Sequence, residues 1–517
     1  MCGIFALFGC ELPVKEAEAR VMRLKARGPE SARLRNIKGV GHLGFTRLRI
    51  MDPKESADQP LCVNNVLLIC NGEIYNYKEL IDEYGLEPKT GSDCEVILHL
   101  YHKIGFEGML SKIRGVFALV LFDPDAGIFA ARDPIGVRSM YYGCVGAMGI
   151  AFASELKALD FCKVVDQVPP GAYWHNKMGF ERYYKFFYPR GITEEEIAIS
   201  TIRSTLTEAT SLRMMSDRSI GALLSGGLDS SVIAALVQEM SDHKVNTYSI
   251  GLKGSPDIKF AKIMADHLES NHHEVLVTKE EMLEAIPDTV RQIESYCTTT
   301  VRASVGNFLL AKWIAKHSDD KVIFCGDMSD EVFGGYRGME LAPNDRQFYT
   351  ENIKLVKRVH LYDLLRSDKS ISGAGLEARV PFADAHFIDT VMSIHPNLKR
   401  FRSGQGKTIL RKAFADMLPE EIRERPKEAF SDGVSATELS WHTIIQKHVQ
   451  DKWTDEQLAA EIKKYKHCPP YDRESLWYRQ IFEEAYPGRA ITIPAFWRHP
   501  FTKTEDPSAR ELENYKS

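Results

Sequence analysis

Ile220-Gly221-Ala222-Leu223-Leu224-Ser225-Gly226-Gly227-Leu228-Asp229-Ser230-Ser231 is the stretch that decides the architecture of the longer part of the chain. Its first five residues carry no polar side chain, which reads as a strand buried on both faces. Such strands belong to parallel sheets covered by helices. The run breaks at two glycines, and a helix is predicted to follow near Val232. Glycines let a backbone approach an anion, and the N–H groups, hydroxyls and helix N-terminus around them favour negative charge. The Gly-Lys-Ser/Thr ending of a Walker-type loop is missing. Outward from this stretch, an amphipathic helix at 197–214 and further strands at 247–252 and 322–325 complete an alternation of helix and strand. We therefore expect an α/β domain with a parallel sheet over 195–517. Loops at the C-terminal ends of parallel strands meet in one crevice, so Gly326-Asp327-Met328-Ser329-Asp330, after the strand at 322–325, is expected to face the loop at Ser225. Asp229 and Asp330 would then supply carboxylates to a magnesium ion lying against phosphates.

The first 160 residues read differently. Short strand-like runs fall at 4–8, 66–70, 116–122, 128–131, 140–145 and 150–153, punctuated by Asp123-Pro124-Asp125 and Asp133-Pro134, with one helical stretch at 94–102. That pattern predicts an α+β domain over 1–185, with stacked antiparallel sheets and flanking helices. The boundary is placed in the aromatic and basic stretch 183–190, where Pro189 and the following Gly191 suit a linker.

Composition narrows the function classes. The 517 residues are 44% hydrophobic and 26% charged with a formal net charge of -5, as in a soluble globular protein, and no basic run suggests a nucleic-acid partner. No apolar stretch approaches the roughly 20 residues that cross a bilayer. The amino end lacks the basic segment and cleavage site of a signal peptide, so a reducing cytoplasm is expected. Ten cysteines occur without a C-x-x-C pair, which indicates neither a zinc site nor a disulfide framework. Most of them sit among apolar residues and read as small buried hydrophobes.

Cys2 differs. Removal of Met1, favoured by the small side chain that follows, would place a thiol and a free α-amine on one residue. An α-amine titrates near about 8, so part of it is neutral at pH 7 and can take the thiol proton. Met1-Cys2-Gly3-Ile4 is followed by Arg27-Gly28-Pro29, Arg47-Leu48, Asn71-Gly72-Glu73-Ile74-Tyr75-Asn76 and Gly91-Ser92-Asp93-Cys94-Glu95. In this order the segments resemble the N-terminal-nucleophile glutamine amidotransferases. The residue types suit glutamine: an arginine for its carboxylate, an acid for its ammonium, and amide and backbone donors for a tetrahedral oxyanion. The loop at Ser225 resembles that of the ATP-pyrophosphatases, which adenylate a carboxylate or carbonyl.

Over its whole length the chain resembles the glutamine-hydrolysing asparagine synthetase family. Gly254-Ser255-Pro256-Asp257, Thr299-Thr300-Val301-Arg302-Ala303-Ser304, Glu377-Ala378-Arg379-Val380-Pro381-Phe382, Arg425-Pro426-Lys427-Glu428-Ala429-Phe430 and Asp506-Pro507-Ser508-Ala509-Arg510 carry that resemblance. It implies synthesis of asparagine from aspartate, glutamine and ATP, with release of glutamate, AMP and pyrophosphate. Ammonia would travel through an enclosed passage, and the assembly would be a homodimer. Cys2 is implied as nucleophile, with the Asn71 side chain and Gly72 N–H as oxyanion donors. Arg47, Leu48, Arg49, Ile50, Met51, Asn71, Gly72, Glu73 and Asp93 would bind glutamine. Leu223, Ser225, Gly226, Gly227, Asp229, Ser230, Ser231, Ile250, Cys325, Gly326 and Lys427 would bind ATP. Thr299 and Arg302 would bind aspartate, and Asp229 and Asp330 the Mg2+ ion. Asp327 would assist the attack of ammonia, and Lys427 would steady the phosphates. Amidation of a different carboxylate fits the same two-domain plan. A homologue that has lost catalysis is the remaining alternative, and it predicts lesions at Cys2 or the Ser225 loop, both of which are intact.

Three departures stand out. Ala26-Arg27-Gly28-Pro29-Glu30 replaces His-Arg-Gly-Pro-Asp, Cys297 replaces an aspartate, and Asp327-Met328 replaces Glu-Gly. Asp327 is one methylene shorter than glutamate, and a misplacement of about 1 Å can cost on the order of 100-fold in rate.

Overall fold

The three-dimensional structure is a computed structural model that describes the chain except residues 147, 187–190, 403, 429, 436–439, 505, 509–511 and 513–517 and the side chains of 431 and 432. Part of the expected linker (187–190), Ala429, Ala509 and Arg510 thus lie outside the described residues. The chain forms two compact units. The first comprises Met1–Phe186 with two short later segments, Met215–Ser219 and Ile371–Glu377; the remainder forms the second. Those two segments fall within the stretch that the sequence assigns to the second domain.

The first unit contains two six-stranded sheets, every described pair antiparallel. Gly3–Phe8 lies inside one, between Gly41–Arg47 and Gly149–Ala153; Val66–Ile74 and Gly115–Asp123 are neighbours inside the other. Strand alternation explains the core. Ile4, Ala6 and Phe8 meet Leu67, Ile69, Ala118 and Val120 between the sheets. Val66, Leu68 and Cys70 turn the other way, onto Val96, Ile97 and Leu100 of the helix Glu95–Lys112. Residues 66–70 of the strand Val66–Ile74 read as one apolar run because both faces are buried there. The helix runs beyond the expected 94–102, with its regular dihedrals broken at Gly105 (φ 72°).

The second unit is built on a five-stranded sheet. Its strands are Ile220–Leu223, Asn246–Leu252, Asn271–Val277, Val322–Phe324 and Glu377–Arg379. Numbered in that order within the sheet, they lie side by side as 3-2-1-4-5. Strands 1 and 2, 2 and 3, and 1 and 4 pair in parallel. The order reverses between Ile220–Leu223 and Val322–Phe324, and an open parallel sheet forms its ligand crevice at the C-terminal ends of the strands where this happens. The helices Glu195–Leu212 and Leu228–Glu239 flank the first strand in sequence. Among the described residues, no helix is long and apolar enough to cross a membrane.

Candidate active sites

The site in the first unit lies at the mouth of the inter-sheet core. Cys2 continues the face of Ile4, Ala6 and Phe8, while Asn71 and Glu73 continue that of Leu67 and Ile69, because side chains two apart share a face. The Cys2 backbone N–H donates to Asn71 Oδ1 at 2.9 Å, and the thiol approaches Leu48 O at 3.6 Å. Asn71 is fully buried, and its Nδ2 has no partner among the described residues. A buried amide donor left open beside a thiol is available to a developing oxyanion. Arg27 fixes this end of the strand, Nε donating to Cys2 O at 2.8 Å. Gly28 admits no side chain, since a Cβ there would lie 2.3 Å from the Thr46 carbonyl carbon. At Gly72 a Cβ would lie 2.2 Å from Val116 O.

Burial pushes the Cys2 thiol up to about 11. Attack by the thiolate therefore needs a base beside it. The terminal amine sits one residue away, on Met1, where burial lowers it to about 6.

Arg47 is not an open fork. Its NH1 donates to Asp58 Oδ1 at 2.7 Å and Lys54 O at 2.9 Å, and its NH2 to Met51 O at 2.8 Å and Asp52 O at 2.6 Å. Asp58 also pairs with Arg33 and Arg49, each at 3.2 Å. Arg47 thus has its donors engaged where a substrate carboxylate was expected to dock. Burial would raise the Asp58 carboxyl, but the hydrogen bonds from Arg47 and Arg49 outweigh it and hold the carboxyl below its usual range. Asp93, also buried, accepts from Ile74 N–H at 2.6 Å. After Arg47 in sequence, Leu48 and Ile50 are buried, with Arg49 and Met51 partly exposed between and after them.

The second site is a cavity of about 210 Å³ at the sheet's reversal point. It gathers Leu223, Ser225, Gly227, Asp229, Ser230, Ile250, Thr299, Cys325, Gly326, Asp327, Asp330 and Lys427 from segments up to about 200 residues apart. Two of the expected ATP residues do not line it. Gly226 adopts φ +68°, and a Cβ there would meet Phe260 C at 2.3 Å, so this glycine lets the turn form. Ser231 is buried in the helix that follows. The loop is closed by its own hydroxyls, Ser225 Oγ lying 3.0 Å from Ser230 Oγ and accepting from Gly227 N–H at 3.3 Å. Gly326 brings the second loop against the first, since a Cβ there would lie 2.7 Å from Asp229 C.

Charges alternate at the phosphate end. Lys407 Nζ lies 2.7 Å from Asp229 Oδ2 and 2.6 Å from Asp330 Oδ1, and Lys427 Nζ lies 2.6 Å from Asp330 Oδ2. Burial would raise the Asp330 carboxyl, but Lys407 and Lys427 hold it well below the usual carboxylate range. Arg425 ties the loop down, donating to Ser225 O at 3.0 Å and pairing with Asp257 at 2.5 Å. Asp327 is held on both oxygens: Oδ1 accepts from Arg366 at 2.6 Å and Oδ2 from the Ser367 hydroxyl. Sequence reading missed Lys407, Arg366, Trp497 and His499, all cavity-lining. Each comes from a segment distant from the loop and carries no local motif.

Arg302 is the clearest correction. It does not line the cavity. Its Nε and NH2 each donate to Glu474 at 2.7 Å, and its NH1 and NH2 donate to Asp506 at 3.0 and 2.7 Å. His442 adds a contact at 2.7 Å. A buried cation so engaged has no fork left for a dicarboxylate. Removing one partner of a buried charge cluster costs about 3–5 kcal/mol. Arg302→Met is therefore expected to lower the urea midpoint of the second unit while leaving the KM for aspartate unchanged. A raised KM at unchanged stability would return Arg302 to the substrate site.

Thr299, by contrast, lines the cavity with its buried Oγ1 lacking a partner among the described residues.

Comparison with known proteins agrees with this division. The family model described as "Asparagine synthase" matches residues 201–357 and 341–502, and that described as "Glutamine amidotransferase domain" matches residues 1–188. A probable asparagine synthetase [glutamine-hydrolyzing] of Acanthamoeba polyphaga mimivirus is 39% identical, over 99% of this chain and 100% of that protein. The asparagine synthetases [glutamine-hydrolyzing] of Gallus gallus and Homo sapiens are 38% and 37% identical, each over 100% of this chain and 99% of the relative. With both units matched and relatives aligned from end to end, the chain belongs to the glutamine-hydrolysing asparagine synthetase family.

Proposed function

We propose that the protein makes asparagine from aspartate, ATP and glutamine. In the first unit, loss of Met1 puts the α-amine on Cys2, where the nitrogen already lies 2.9 Å from Asn71 Oδ1. The amine takes the thiol proton, and the thiolate attacks the glutamine amide carbon. Asn71 Nδ2 and the Gly72 N–H stabilise the oxyanion. Ammonia leaves, and water hydrolyses the thioester to glutamate. Arg49, which is partly exposed, with Arg47 behind it receives the substrate carboxylate, and Asp93 with Glu73 its ammonium.

In the second unit the β-carboxylate of aspartate attacks the α-phosphorus of ATP and pyrophosphate leaves. Ammonia then attacks the acyl carbon, and AMP departs. Lys427 and Lys407 balance charge on the phosphates, while Asp327, steadied by Arg366 and Ser367, takes a proton from the attacking nitrogen. Asp229 and Asp330 suit Mg2+, which commonly binds one or two carboxylates and completes its shell with phosphate oxygens and water. Asp229 Oδ1 fits this role, being buried without a hydrogen-bond partner among the described residues. Bound there, the ion would neutralise phosphate charge. A cytoplasmic homodimer belongs to the same proposal.

The observation that carries this reading is the Asp229–Lys407–Asp330–Lys427 chain beside the Ser225 loop, in a protein that also holds Cys2 against Asn71. Mass spectrometry of products, with glutamine or ammonium as donor, tests it. We expect asparagine, AMP and pyrophosphate with aspartate, and none with other carboxylates. Consumption of neither glutamine nor ATP would end the proposal.

A further inference from the structure

After the helix Arg473–Ala485 the chain returns to the second unit's cavity. It is fastened there at successive points. Ala495 O accepts from the Tyr362 hydroxyl at 3.1 Å, and Trp497 N–H donates to Cys297 Sγ at 3.3 Å. The Trp497 ring lies 4.9 Å from that of Tyr336. Cys297, where the resembling family carries aspartate, is buried and joins Tyr362 and Trp497 in one apolar cluster. A charged side chain there would leave the indole no such seat.

Two residues on, His499 meets Trp497 edge-on at 4.7 Å and Tyr336 at 6.4 Å. It is 6% exposed and lines the cavity. Neither ring nitrogen has a hydrogen-bond partner of good geometry among the described residues, although the Pro507 backbone lies beside the ring. Burial lowers its pKa to about 4, against the opposing pull of the Pro507 carbonyl, Asp506 and Asp330. The ring is therefore neutral at pH 7 and offers one N–H donor and one acceptor. A buried side chain at a cavity wall whose polar atoms lack well-formed partners calls for a ligand.

We propose that His499 is a substrate-contacting residue of the cavity, whose ring N–H donates to an anionic oxygen of the reactants while Trp497, seated on Cys297, holds the ring in place. The inference rests on the function proposed above. Both the polyphosphate chain of ATP and the carboxylates of aspartate present such an oxygen, and kinetics tell them apart.

The test compares the full-length wild type with His499→Phe, which keeps a ring without donors, and His499→Gln, which keeps a neutral N–H. Ammonia-dependent AMP formation is measured against ATP and aspartate separately, alongside thermal melting. Loss of one hydrogen bond to a charged group predicts a KM about tenfold higher for one co-substrate in His499→Phe, largely recovered in His499→Gln. A rise for ATP, with weaker product inhibition by pyrophosphate, assigns the contact to phosphate; a rise for aspartate assigns it to carboxylate. Unchanged KM for both, or equal loss of kcat in the two variants in step with lowered melting, would overturn the proposal. If the wild type forms no AMP with aspartate, the functional reading fails instead. Calorimetric binding of ATP and of aspartate to wild type and His499→Phe then decides the role of His499.

Discussion

Cys2→Ala is expected to lower glutamine-dependent asparagine formation by a factor on the order of 10⁴ or more, with ammonia-dependent formation kept at the wild-type level. Alanine is as small as cysteine, so Met1 is still removed and the α-amine stays beside Asn71 Oδ1. What disappears is the thiol proposed to form the thioester, and alanine offers nothing in its place. The second unit has its own core and cavity and is untouched by the change. Parallel assays with glutamine and with ammonium at high pH, where free NH3 is abundant, read the two activities. Equal loss of both in a folded variant would mean that the cysteine supports the synthetase site rather than feeding it.

The second large effect is at Lys427. Lys427→Met should reduce AMP formation by about 10²–10³ with either nitrogen donor, the size seen when one preorganised charge or donor is taken from a transition state. Lys427 Nζ lies 2.6 Å from Asp330 Oδ2 and 4.0 Å from Asp229 Oδ2. Burial lowers its affinity for a proton, but the two aspartates raise it above that of an ordinary lysine, so it remains a cation throughout the working pH range. In the variant Asp330 keeps Lys407 as a partner, and the fold should survive. Glutamine hydrolysis in the same preparation serves as the check on folding. Pyrophosphate release close to wild type would show that Lys407 alone suffices.

The departures from the family pattern gain physical content from the structure. Met328 adopts φ +76°, in the left-handed region, at the turn into the short helix Ser329–Phe333. A non-glycine residue there costs about 1–2 kcal/mol, which explains why glycine suits this place and shows that the chain tolerates strain beside Asp330. Asp327, one methylene shorter than glutamate, is held on both oxygens by Arg366 and Ser367.

Legibility followed burial. The runs read from sequence at 66–70 and 116–122 lie inside sheets and are apolar on both faces. Ser31–Ile37 and Asn271–Val277 went unread; both are edge strands with half-exposed or exposed side chains at most positions, which carry little periodic signal. The Gly41–Arg47 strand, though central, is broken up by its glycines, one of which lies where a Cβ would strike Val21.

By itself the sequence determined that there are two domains of different class, that loss of Met1 would put a thiol and an α-amine on Cys2, and that a glycine-serine loop follows a buried strand. These are local matters: alternation, turn chemistry and short motifs act over a few residues. Only the tertiary structure decided that Arg302 is spent on Glu474 and Asp506, that Arg47 is engaged by Asp58, and that Lys407, Trp497 and His499 belong to the cavity. A long charged or aromatic side chain serves equally well on a surface, in an ion pair or in a site. Its role is set by what the fold brings within hydrogen-bond reach, and for Arg302 those partners lie 172 and 204 residues away.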